Sequence, residues 1–124
     1  MSDTPIRLLL VDDEAGFVDV LYKRLTRRGL EVVTALSGES AIQALRKQDF
    51  DVCVLDLKME DMDGIEVLKI FKKMAPELPI IFLTGHGSEQ AAIEGMRFGA
   101  KDYLMKPCDL ETLLARVLDA AQRE

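Results

Sequence analysis

Ile6-Arg-Leu-Leu-Leu-Val11, followed at once by Asp12-Asp13-Glu14, is the stretch on which the fold turns. Its apolar run is nearly continuous, as in a strand covered on both faces, and it breaks off into carboxylates. The same grammar recurs along the chain. Asp51 to Leu57 reads as a third strand carrying Asp56 near its end, and Ile80 to Thr84 as a fourth ending in a hydroxyl. Leu30 to Ala35 and the short Asp102 to Met105 complete five strands, and Lys106 follows the last.

Helix-period segments separate them. Phe17, Leu21 and Leu25 recur every four residues before Gly29 stops the first helix. Ser37 can cap a second helix with Ala41, Ile42 and Leu45 on one face. A loop with Asp61, Asp63 and Gly64 leads to a third carrying Ile65, Leu68 and Phe71, ended by Pro76 and Pro79. Ser88 can cap a fourth that stops at Gly99. Asp109 can cap the fifth, with Leu110, Leu113, Leu114, Val117 and Ala121 inward. Five βα units with right-handed crossovers predict an open α/β fold: a five-stranded parallel sheet, doubly wound, as one domain over residues 1–124. The units are expected to take up residues 1–124, so that any output domain would lie outside them.

Composition excludes several classes. With 48% hydrophobic and 31% charged residues the chain is globular rather than disordered. A net charge of −6 without a Lys/Arg run argues against nucleic acid or an anionic membrane as partner. No apolar stretch approaches the ~20 residues of a membrane span, and residues 1–5 lack the features of a signal peptide. Cys53 and Cys108 have no CxxC spacing and read as reduced thiols, so the expected location is the cytoplasm.

In an open parallel sheet, ligands bind beyond the carboxyl ends of the strands. Every strand but the second delivers a charged or reactive side chain there: Asp12 and Asp13, Asp56, Thr84, Lys106. Singly, Asp12 or Asp13 could cap helix one, and Thr84 and Lys106 could be loop residues. Asp56, flanked by Val54, Leu55 and Leu57, needs a partner. Three crowded carboxylates should raise at least one pKa, and a hard divalent cation relieves them; all-oxygen donors suit Mg²⁺ better than zinc. Asp56 is then placed to attack a phosphoryl group, with Thr84 and Lys106 neutralising its oxygens.

These residues resemble the receiver domains of two-component response regulators, chemotaxis regulators included. The resemblance rests on Val11-Asp12-Asp13-Glu14, on Asp56-Leu57-Lys58-Met59 through Met62-Asp63-Gly64, on Leu83-Thr84-Gly85-His86-Gly87, and on Gly99 through Lys106-Pro107. It implies a flavodoxin-like (βα)5 fold with strand order 2-1-3-4-5 and a cis Lys106-Pro107 bond. Asp56 would accept phosphate from a phosphohistidine of a sensor histidine kinase or phosphotransfer protein. Mg²⁺ (or Mn²⁺) would sit on Asp13, Asp56 and the Lys58 backbone carbonyl, with Asp12 acting through water. Thr84 and Lys106 would contact the phosphate.

Tyr103 matches the family's switch aromatic, coupled to Thr84; its plainer role is a half-exposed strand aromatic. The surface of helix four, strand five and helix five would then change its affinity for a downstream output domain or protein, or for a second copy in a phosphorylation-linked homodimer. Such a domain is a switch rather than an enzyme, catalysing only its own phosphorylation and slow dephosphorylation. Lys58 and His86 would tune phosphate loss; the plain alternative for His86 is a solvent-facing loop residue. Glu60 stands where the family usually has proline and is expected to alter metal affinity or partner choice. A phosphorylation-independent interaction module on the same fold is the alternative function. A flavin carrier is disfavoured by the acids after strand one, and a haloacid-dehalogenase-type phosphatase by Lys58 where a second acid is needed.

Overall fold

The structure is a computed structural model that describes residues 4–85 and 89–122. Five strands alternate with five helices: β1 (Arg7–Val11), α1 (Ala15–Arg27), β2 (Glu31–Ala35), α2 (Gly38–Lys47), β3 (Val52–Leu55), α3 (Gly64–Met74), β4 (Ile80–Thr84), α4 (Glu89–Arg97), β5 (Asp102–Met105) and α5 (Leu110–Ala121). All strand pairs are parallel and the order is β2-β1-β3-β4-β5, as the resemblance implied. The Lys106-Pro107 bond is cis.

The continuous apolar runs resolve into two faces because side chains alternate along a strand. Leu9, Val11, Cys53, Leu55, Ile80 and Phe82 enter one core layer, which Val67, Leu68 and Phe71 of α3 complete. Leu8, Leu10, Val52, Val54, Ile81 and Leu83 enter the other, closed by α1 and α5 through Leu21, Leu25, Leu113 and Val117. The edge strands β2 and β5 are only partly buried, as strands with one protected flank should be.

Two helix caps follow the sequence. Ser37 accepts from the Ser40 N–H at 3.1 Å, and Asp109 from the Thr112 N–H at 2.7 Å. Asp63 caps α3 by accepting from the Ile65 N–H at 2.8 Å. Asp109→Ala should therefore lower stability, read in chemical denaturation as an earlier unfolding midpoint. At helix α1 the plain alternative for the two acids drops out: neither Asp12 nor Asp13 is its N-cap. Glu14 is its N-cap and makes no side-chain cap hydrogen bond; its carboxylate accepts from Lys106 Nζ at 2.8 Å instead. Ser88, expected to cap α4, lies outside the described residues. Strand β3 is shorter than the expected Asp51 to Leu57. The Asp56 N–H still donates to Val11 O at 2.9 Å, but the Leu57 N–H turns to the Asp56 carboxylate and pairing stops.

Candidate functional site

The ends of β1, β3, β4 and β5 converge at one rim. Asp12 and Asp56 are each 2% exposed and Thr84 is fully buried, the only buried polar or charged residues among those described. One carboxylate oxygen each from Asp12, Asp13 and Asp56 lie within 4.8 Å of one another. These oxygens come from adjacent strand ends, since β1 and β3 pair Val11 with Leu55.

Each side chain is held by a specific contact. Asp12 accepts from the Glu14 N–H at 2.9 Å and from Lys106 Nζ at 2.8 Å. Asp13 accepts from the Glu60 N–H at 3.1 Å, and Asp56 from the Leu57 N–H at 2.8 Å. The buried Thr84 hydroxyl lies beside Asp56 and favours its ionised form. Lys106 reaches across the rim to both Asp12 and Glu14 at 2.8 Å, and its ammonium stands 4.1 Å from the centroid of the Phe17 ring. Its backbone N–H donates to Thr84 O at 2.9 Å, so β4 and β5 deliver hydroxyl and ammonium together.

Burial pushes the Asp56 carboxyl above the ordinary carboxylate range; the Thr84 hydroxyl opposes this, the charge of Asp12 adds to it, and Lys106 and the Leu57 N–H oppose it. One carboxylate is thus raised as expected, but desolvation leads and mutual repulsion is secondary. For Lys106, burial lowers the pKa, yet the hydrogen bonds to Asp12 and Glu14 and the charges of Asp12 and Asp56 outweigh it and the net shift is upward. The ammonium therefore stays charged.

The raised carboxyl bears on stability. A carboxyl raised in the folded state contributes stability below its unfolded pKa and loses it as pH rises through the folded one. Asp56→Asn should then stabilise the metal-free protein at neutral pH by about 1–2 kcal/mol, the scale of a poorly compensated buried charge. The gap should close as the pH falls below the ordinary carboxylate range, which thermal denaturation from pH 7.5 to 3.5 reads directly.

The fit to a divalent cation is good: the donors are hard oxygens, two of the three acids are buried, and their charge exceeds what Lys106 balances. Lys58 is exposed in the loop after β3, which folds back so that Lys58 bridges to Asp63. Tyr103 packs against Phe82, ring centroids 6.0 Å apart, with its hydroxyl shielded from solvent. It is partly buried, as a half-exposed strand aromatic should be. His86 lies outside the described residues. Cys53 is buried in β3, where desolvation raises its thiol pKa, and is inert packing.

Four contributors escape a reading of the sequence. Phe17 packs against the core as the helix period places it and also lies under the Lys106 ammonium; Glu14 shares that ammonium with Asp12. Asp61 accepts from the Gly38 and Glu39 N–H groups at 2.9 and 3.0 Å, gripping the start of α2. Gly64 packs so closely that a Cβ there would lie 2.4 Å from Asp56 O. The residues stand in stretches the sequence singles out, but these contacts are not readable there, because each partner is remote or is backbone.

The family model for the response regulator receiver domain matches residues 8–118. The chain belongs to the response regulator receiver domain family. It is 38% identical to the transcriptional regulatory protein GlrR of Escherichia coli over 99% of this chain and 28% of that protein. It is likewise 38% identical to the luminescence regulatory protein LuxO of Vibrio campbellii over 92% of this chain and 25% of that one. The chain thus spans about a quarter of the length of these curated relatives. Among solved structures, a CheY-like receiver domain protein from Methanospirillum hungatei superposes with a TM-score of 0.92 at 28% identity, covering 95% of this chain and 94% of that one. The beryllofluoride-activated DrrB receiver domain superposes at 0.87 with 32% identity, covering 97% of this chain and all (100%) of that one. Among the described residues of this receiver domain, no helix is long and apolar enough to cross a membrane.

Proposed function

We propose that this receiver domain is a phosphoacceptor switch in which Asp56 takes a phosphoryl group from the phosphohistidine of a sensor histidine kinase or phosphotransfer protein. The observation that carries the reading is a buried carboxylate at a strand end, beside a buried hydroxyl and facing a charged ammonium across the rim. An Asp56 oxygen bonds to phosphorus as the P–N bond breaks, and the bonding pair leaves with the imidazole nitrogen. Thr84 donates its hydroxyl proton to a phosphoryl oxygen. Lys106 exchanges a carboxylate partner for another phosphoryl oxygen. Such transfer asks the protein chiefly to position groups and balance charge.

Mg²⁺ (or Mn²⁺), held by Asp13, Asp56 and the Lys58 carbonyl with Asp12 acting through water, would supply the remaining positive charge. Loss of the phosphoryl group is attack of water on phosphorus, returning the Asp56 carboxylate; Lys58, His86 and Glu60 are the residues assigned to tune its rate. The domain acts once per phosphoryl group, as a switch rather than an enzyme, and in the cytoplasm, where such donors work.

Thr84 and Tyr103 relay the change. Exposed apolar side chains on all three elements of the α4–β5–α5 face, Ile93 and Met96, Met105, and Leu118, support that surface as the contact for an output domain, an output protein or a second phosphorylated copy. Beryllofluoride with Mg²⁺ should shift the amide signals of Thr84, Tyr103 and Lys106 at one equivalent, and Asp56→Asn should abolish the response. If beryllofluoride left the wild type unchanged, a phosphorylation-independent interaction module would replace this reading; sustained turnover of a phosphomonoester would instead point to a phosphatase.

A further inference from the structure

The loop between β3 and α3 is pinned at two places that have no sequence relation. On one side Asp61 takes the first two N–H groups of α2, Gly38 and Glu39, while Ser37 takes the third, that of Ser40. Helix N-termini leave such donors unpaired, and a carboxylate is the favoured partner. Accepting the Gly38 N–H, then burial in opposition, then accepting the Glu39 N–H leaves the Asp61 carboxyl below the usual range, so it stays ionised in this grip. Met62 closes the contact: a Cβ on Gly38 would come within 2.8 Å of Met62 Cβ. On the other side the Glu60 peptide N–H donates to Asp13 Oδ2 at 3.1 Å, across 47 residues of sequence.

We propose that the Glu60 peptide N–H is a positioning group for Asp13, aimed by the grip of Asp61 on α2, and that it sets the affinity of the acid cluster for a divalent cation. The inference rests on the reading of Asp12, Asp13 and Asp56 as cation ligands. A carboxylate has two oxygens; fixing one with an N–H orients the other. Partners of this kind change metal affinity by about 10–100-fold when removed. The Glu60 side chain is not in this hydrogen bond, so for the contact with Asp13 the residue type is free as long as it keeps an N–H. Proline is the one residue that deletes it.

Two measurements test this. In the metal-free protein the Glu60 amide should exchange with solvent about 10-fold more slowly than in Asp13→Ala, while the Lys101 amide, bonded to Ile80 O at 2.7 Å, exchanges equally in both. In titrations with Mg²⁺ alone, followed by amide shifts, Glu60→Pro and Asp61→Ala should weaken binding by about 10-fold. Glu60→Ala and Glu60→Gln should remain within about twofold of wild type, because both keep the N–H.

Equal Mg²⁺ affinity in Glu60→Pro and wild type would overturn the proposal, as would an equal loss in Glu60→Ala, which would assign the effect to the carboxylate. An unprotected Glu60 amide in the metal-free wild type overturns it without any folding question about the variants. Wild type that binds Mg²⁺ and beryllofluoride beside an indifferent Glu60→Pro would sink this inference alone. Wild type that binds neither would sink the phosphoacceptor reading with it.

Discussion

Gly64→Ala should destabilise the domain by about 3 kcal/mol, more than any surface change and at the upper end for overpacking. The added Cβ would sit 2.4 Å from Asp56 O and 2.8 Å from both Leu57 Cα and Leu57 O. All three are backbone atoms, so no flexible side chain can give way. The Gly64 N–H already donates to Leu57 O at 2.6 Å, which draws the start of α3 against the exit of β3. Relief requires α3 to lift, and the segment it lifts from is the one carrying Asp56. Urea denaturation checks the size, with Gly16→Ala as control. Gly16 lies in α1, where an added methyl would have nothing within 4 Å, so alanine there should be neutral or stabilising by up to about 1 kcal/mol. A loss below about 1 kcal/mol for Gly64→Ala would show that the junction is softer than its geometry indicates.

Lys106→Met should have the next largest effect, and its size should depend on the cation. Lys106 is the ammonium on Asp12, and removing it leaves two carboxylates, Asp12 and Asp56, each 2% exposed, without that charge. Breaking a fully buried pair costs about 3–5 kcal/mol; the Lys106 side chain keeps 16% exposure, so about 2–3 kcal/mol is expected for the metal-free protein at pH 7. Methionine keeps an unbranched apolar stem of similar bulk, so the loss is that of the ammonium, from the carboxylates and from the Phe17 ring alike. Added Mg²⁺ should then raise the melting temperature of the variant more than that of wild type, since the cation takes over the missing charge. A variant as stable as wild type, or one indifferent to Mg²⁺, would contradict the assignment of Lys106 to the acid cluster. Phosphoryl uptake should fall as well, because a phosphate partner is lost.

The sheet was legible because its signals are local. Leu8 to Val11 and Ile80 to Leu83 must be apolar on both faces, and that requirement is written in consecutive residues. The strand-end residues Asp12, Asp13, Asp56, Thr84 and Lys106 were legible for the same reason: topology alone carries them to one rim. The contacts that tune the rim were not. The cap of α2 by Asp61, the Glu60 N–H on Asp13 and the shared ammonium of Glu14 join residues 22 to 92 positions apart. Two of those contacts use peptide groups, which no residue type announces. Glu60 illustrates the limit well. Its departure from the family's usual proline is visible in the sequence and suggests a change of charge; the geometry shows a change of donor.

The central claim, that Asp56 is the phosphoacceptor, is tested most directly by intact-protein mass spectrometry after incubation with acetyl phosphate and Mg²⁺, followed by peptide mapping of the label. The expected result is one phosphoryl group per chain, located at Asp56, dependent on Mg²⁺ and absent in Asp56→Asn. Label on another residue, or equal labelling of Asp56→Asn, would contradict it.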